Sequence, residues 1–222
     1  MAYFWNASFF QNIEKIFLAL AAALLLMSSP AFAAQETAYT PSAQELKKMS
    51  VFLSNFTELG FMNFDVQKDG GEGLHLGATS ALPKLIHFGI WHNYHNNFSS
   101  RITQCTEGCP HGSLRIKANY VAESVKKYFD LPVQHQSVPA PPMPYYFDGK
   151  AYHFEGADGE VAYLAQVEKV VKQADGTVRM TGYLYNAENK TERSGTFEAL
   201  AKAQNVNGKK TWAILSLKTV GR

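Results

Sequence analysis

Apolar side chains at Leu46, Met49, Phe52, Leu53 and Phe56 recur every three or four positions, the period of one helix face. Ahead of them, Ser42-Ala43-Gln44-Glu45 makes a capping box: the serine hydroxyl takes the third helical amide while the glutamate reaches back. Gly60 stands where a C-terminal cap would, so the spacing predicts a first helix over 43–58. Residues 66–80 hold four glycines among polar side chains and read as a loop. A second helix starts after Ser80, with Pro83 in its first turn, and runs to about residue 98. A third covers 119–129, with Val121, Val125 and Tyr128 on one face and Leu131-Pro132 beyond its end. Residues 99–118 between them carry two cysteines and a short strand at 114–116.

The pattern then changes. Pro139, Pro141, Pro142 and Pro144 predict an extended connector over 138–144, after which the hydrophobic period falls from helical to two. Asp148-Gly149 centres a hairpin over 145–154, and Asp175-Gly176 joins strands at 161–173 and 177–185. Asn205-Val206-Asn207-Gly208 joins strands at 196–204 and 210–220. Within 177–185, Val178, Met180 and Leu184 alternate with Arg179, Thr181 and Tyr183, which gives a sheet with one apolar face. Helices first and strands after predict an α+β fold, with N-terminal helices (34–137) packed on a C-terminal curved antiparallel meander (145–222). The two are parts of one domain, and in element order they are comparable to the cystatin-like and nuclear-transport-factor-like rolls.

Residues 16–27 read IFLALAAALLLM, and Ala31-Phe32-Ala33 follows after a Ser-Ser-Pro break. This is the apolar core and small-x-small site of a secretory signal peptide over 1–33, cleaved after Ala33. Twelve residues fall short of the roughly 20 that a membrane span needs, so no stable span is expected after cleavage. Export places the chain in the periplasm or outside the cell. In such a compartment Cys105 and Cys109, with three residues between them in Cys-Thr-Glu-Gly-Cys, are expected to form a disulfide. Closing so small a loop contributes roughly 2 kcal/mol on the chain-entropy model. The 21 basic and 19 acidic side chains leave a net charge of +2, which gives no electrostatic reason to expect nucleic acid.

Candidate chemistry gathers on the second helix, IHFGIWHNYHNN over 86–97. At about 100° per residue, Phe88, Trp91, Tyr94 and Phe98 form one apolar arc that includes His87 and His95, with His92 at its edge. A zinc site would need three or four donors, and His92, His95 and His111, or the two thiolates, supply candidates. Against this, the chain has no His-Glu-x-x-His, and Cys-x3-Cys fits a zinc knuckle poorly. The favoured expectation is that His87 and His95 are core-facing imidazoles bonded to backbone or to Asn93 and Asn96. No Gly-x-Ser-x-Gly elbow or phosphate-binding glycine loop is present, and Asp69-Gly70-Gly71-Glu72-Gly73 lacks the alternating donors of a calcium loop. Asp65, Asp69, Glu72, Glu155, Asp158 and Glu160 read as loop acids. Tyr145-Tyr146-Phe147 with Tyr152, His153 and Phe154 decorates the first hairpin; the outward half, Tyr146 included, offers a platform for a sugar or peptide.

Two stretches carry a resemblance: Val51-Phe52-Leu53-Ser54-Asn55-Phe56-Thr57-Glu58 followed by Phe61-Met62-Asn63-Phe64-Asp65, and the helix over 86–97. They resemble a family of exported bacterial proteins in which a Leu-Ser-Asn-Phe-Ser/Thr-Glu helix end precedes a helix carrying His-Asn. That resemblance spans most of the chain after residue 33 and carries no activity. It points to Ser54, Asn55, Glu58, His92 and Asn96, and Cys105 and Cys109 do not belong to its pattern. The resulting expectation is a non-catalytic exported protein without a cofactor, binding a ligand or envelope protein between sheet and helices. Ser54, Glu58, His92, His95, Asn96 and Tyr146 are its candidate contacts. The alternative is a metal-dependent or cell-wall-directed hydrolase using His87, His92 and His95.

Overall fold

The capping box forms as the sequence implies. In a computed structural model that describes residues 37–66, 74–76, 78–106, 109–139, 144–157 and 162–221, the Glu45 amide donates to Ser42 Oγ at 3.3 Å and the Ser42 amide to Glu45 Oε2 at 2.8 Å. The segment read as a signal peptide lies outside the described residues, as do Asp69, Glu72, Asp158, Glu160 and the middle of the proline run. Helix α1 spans Ala43–Thr57 and buries Met49, Phe52, Leu53 and Phe56.

Helix α1 lies on a seven-stranded sheet. Its strands are β1 (Thr37–Ala38), β2 (Phe64–Asp65), β3 (Leu74–His75), β8 (Tyr163–Lys172), β9 (Thr177–Asn186), β10 (Arg193–Val206) and β11 (Lys209–Gly221). Their spatial order is β1-β8-β9-β10-β11-β2-β3, antiparallel except for the β2–β3 pair. The meander is therefore present, with register shifts at Val167/Lys169, Arg193/Gly195 and Leu200/Ala201 that add twist. The last hairpin turns more tightly than the sequence suggested. Val206 pairs with Lys209, and Asn207 and Gly208 take φ of +52° and +77°, the two positive values a two-residue turn needs.

Strand β8 would present an open edge, because β1 pairs with it only at Val171 and Lys172. Helix α1 closes the remainder. The Val167 amide donates to Ser50 Oγ at 2.9 Å, the Ala165 amide to Ser54 Oγ at 3.0 Å, and Thr57 Oγ1 donates to the Tyr163 carbonyl at 2.6 Å. The serine hydroxyls in turn donate to the Leu46 and Ser50 carbonyls one turn back. A row of hydroxyls thus replaces a neighbouring strand, each bond contributing about 1 kcal/mol net, and removes an edge that invites aggregation.

The hairpin over 145–154 does not open the meander, which corrects the expected boundary. Strands β4 (Ile102–Gln104), β5 (Leu114–Lys117), β6 (Tyr146–Phe147) and β7 (Ala151–Phe154) form a second sheet in the order β4-β5-β7-β6. Strand β7 pairs with β5, Leu114 opposite Phe154 and Ile116 opposite Tyr152. These four side chains are buried on one face against α2 (Leu82–Arg101), where they meet Ile86, Ile90 and Trp91. At the two ends of the proline run, Val138 and Tyr145 exchange two backbone hydrogen bonds of 2.8 Å.

Helix α2 feeds both cores. Leu85 and Phe88 join Phe52, Phe56, Phe64, Met180 and Ile214 on the large sheet, while Leu82, Ile86, Ile90 and Trp91 join the small one. A third side meets α3 (Ala118–Phe129): a Cβ on Gly89 would lie 2.6 Å from Val121 Cγ1 and 2.9 Å from its carbonyl oxygen. Between these helices Asn93 is fully buried and satisfied. Its Nδ2 donates to Gly89 O, Tyr120 O and Ser124 Oγ, and its Oδ1 accepts from Asn97 and Arg101.

Candidate functional site

Burial on three sides changes the histidine assignment. The single-arc wheel placed His87 and His95 in the core and His92 at the edge; instead His92 is buried at 5% exposure and His95 faces solvent. His92 stacks on Phe88 (5.6 Å, 3°) and meets Tyr128 edge-on at 4.6 Å. Burial, with smaller contributions from Lys127, Arg101 and His95, pushes its pKa down to about 3, so it is neutral. His87, half-buried, has its pKa pushed down to about 4 by burial and then by Lys84. Trp91 Nε1 donates to Tyr145 Oη at 2.7 Å, so the tyrosine proton is free to point at His87 Nδ1, 2.6 Å away. That assigns Nδ1 as acceptor and the proton to Nε2. His95 rests beside Trp91 and Tyr94, and His111 stacks on Tyr146 at 3.8 Å at the second sheet. His87 and His95 both neighbour Trp91, at 6.2 and 5.8 Å between ring centres, while His92 packs on Phe88 and Tyr128. Among the described residues the metal-competent trio within 4.8 Å is Cys105, Cys109 and His153, not His92, His95 and His111.

Three of the sequence candidates do share a surface. Ser54, Glu58 and Asn96 line an open groove of about 650 Å³ between α1 and the β8–β9 hairpin, together with Leu46, Lys47, Val51, Gln166 and Tyr185. It exceeds the depressions of about 300 Å³ beside Phe61 and His87, 410 Å³ beside Tyr163 and 330 Å³ beside Pro132. Ser54 is committed to the β8 edge, and Asn55 is buried with its amide on the Val51 carbonyl. Glu58 is different. Burial raises its pKa, opposed by the Asn96 amide 3.4 Å from Oε1. Asn96 also donates to the His92 carbonyl at 3.1 Å and lies 3.3 Å from His92 Nδ1. Behind Glu58, burial and then the Glu58 charge raise the Tyr128 pKa, and the Tyr128 hydroxyl accepts from Lys127 at 3.2 Å. The groove therefore carries a desolvated carboxylate at one end, an exposed Val51 along its side (58%) and polar amides between.

Tyr146 sits elsewhere, 41% exposed on β6, and has no part in this groove. Sequence reasoning missed Lys47, Gln166, Tyr185, Lys127 and Tyr128. Tyr128 lay on a helix face that reads as core, and Gln166 and Tyr185 are brought there only by long-range pairing. The cysteines are joined in a disulfide, Cα atoms 6.1 Å apart. No helix of the described residues is long and apolar enough to cross a membrane. No family model, no curated protein and no solved structure matches the chain.

Proposed function

We propose that this chain is an exported, non-catalytic binding protein of the periplasm or extracellular space, and that it holds a ligand or envelope protein in the groove between α1 and β8–β9. The family of exported proteins carrying the Leu-Ser-Asn-Phe-Ser/Thr-Glu helix is its proposed kin. One observation carries the assignment: Val51 and Glu58 of α1 and its cap meet Asn96 of α2 and Gln166 of β8 on one concave surface around a half-buried carboxylate. A desolvated carboxylate gains most from a partner that brings a hydrogen-bond donor or cation, while Leu46, Val51 and Leu164 give apolar contact. The binding reading is supported over the hydrolase alternative because His92 is buried against Phe88 and Tyr128 while His95 faces solvent.

Affinity capture from cell-envelope extract tests this. The parent chain is expected to retain a saturable partner, Glu58→Lys to lose it by at least tenfold, and Tyr146→Ala on the other sheet to keep it. Equal retention by Glu58→Lys, or no saturable partner for the parent chain, overturns the assignment.

A further inference from the structure

Cys105 and Ser113, which flank the cysteine loop, are held by hydrogen bonds that do not depend on the disulfide. Strands β4 and β5 pair through Gln104–Leu114, the Cys105 amide donates to the Ser113 carbonyl at 2.8 Å, and Ser113 donates through its amide and hydroxyl to Glu155 beyond β7. Cys105 and Ser113 thus keep their places on the second sheet when the sulfurs part. On β7, a ring nitrogen of His153 lies within 4.8 Å of both sulfurs, and all three residues are partly buried. His153 is also oriented: its Nε2 is 2.8 Å from Asp148 Oδ2, and Asp148 Oδ1 accepts from the Lys150 and Ala151 amides at 2.8 and 2.7 Å. In the tautomer whose Nε2–H donates to Asp148 Oδ2, Nδ1 carries the lone pair. A disulfide needs no imidazole. Two sulfurs beside a carboxylate-oriented imidazole are the donor set of a zinc site with its outer shell in place.

We propose that Cys105, Cys109 and His153 form a redox-gated zinc site, loaded when the cysteines are reduced and emptied when they are bonded. Ligand bonds of about 2.3 Å to sulfur and 2.0 Å to nitrogen require donors roughly 3.5–3.8 Å apart, within reach once the S–S bond opens. The imidazole on β7 supplies the third donor that the Cys-x3-Cys pair lacks by itself. A dithiol performs the opening: its thiolate attacks one sulfur, its second thiol displaces the mixed disulfide, and two electrons and two protons pass to the cysteines as the dithiol becomes a cyclic disulfide. Zn²⁺ then displaces both thiol protons to solvent, while His153 retains its Nε2 proton on Asp148. Water completes the tetrahedron. Exchange with a small-molecule disulfide, which takes the two electrons and is reduced to two thiols, restores the Cys105–Cys109 bond, removes two donors and releases the metal.

The test uses the full chain, reduced with dithiothreitol, freed of it anaerobically and titrated with Zn²⁺ against a chromophoric chelator. One Zn²⁺ per reduced chain and none per oxidised chain is expected. His153→Ala is expected to weaken binding at least tenfold, and Asp148→Asn about tenfold through loss of orientation. Co²⁺ added to the unsubstituted reduced chain should give thiolate-to-cobalt charge transfer and intense tetrahedral d–d bands, a readout that needs no variant. Zinc binding independent of redox state, binding by His153→Ala equal to the parent, or octahedral cobalt bands overturns the site.

Discussion

At the scale of single residues, His92 is a titratable group buried at 5% exposure. In the unfolded chain it takes up a proton near pH 6.5; folded, it does so only near 3. A folded value below the unfolded one means the unfolded chain binds the extra proton, so stability is complete above about pH 6.5 and falls as pH drops toward 3. Over the two units from 6.5 to 4.5 this removes about 2 kcal/mol. His87 adds a similar loss down to about 4, whereas Glu58, with its pKa raised, favours the folded state at acid pH and loses that contribution as pH rises. Urea unfolding of His92→Phe should therefore lose less stability between pH 6.5 and 4.5 than the parent, by about 2 kcal/mol. An unchanged difference would mean that His92 is protonated in the folded protein.

The elements show where a sequence can and cannot be read. Helix α1 was legible because its cap and its apolar stripe are local: Ser42, Glu45 and Phe52 need no knowledge of the rest of the chain. Helix α2 was legible as a helix but not in its facing. Three sides are covered, by the large sheet, the small sheet and α3, so a one-arc wheel exchanged the roles of His92 and His95. The partner of β7 was illegible for another reason. Alternation tells which side chains of 151–154 are buried, but not that Leu114 and Ile116 lie opposite them. Gly89 shows the same limit. In an isolated helix alanine would be favoured by up to about 1 kcal/mol, yet here its methyl group would meet Val121 side chain and backbone. Overpacking of that kind costs about 1–3 kcal/mol. Gly89→Ala should lower Tm by several degrees in a thermal melt, and a raised Tm would refute the close α2–α3 approach.

For the molecule as a whole, two cores share one helix, and the proposed groove opens between α1 and the β8–β9 hairpin. Charge balance and the disulfide were readable from composition and spacing, and the α+β class from element order. The groove was half readable: Ser54, Glu58 and Asn96 were picked out, but the sheet residues opposite them depend on a chain reversal more than a hundred residues downstream. Ser54 then proved to serve the β8 edge, and Glu58 and Asn96 are the groups proposed to meet a ligand. The most direct measurement places a photo-activatable side chain at Val51, in the groove, and separately at Tyr146, on the second sheet, in chains expressed in their own cell. A discrete adduct from Val51, diminished by Glu58→Lys and absent from Tyr146, is the expected result. No adduct at Val51, or the same adducts at both positions, would contradict a ligand held between α1 and the β8–β9 hairpin.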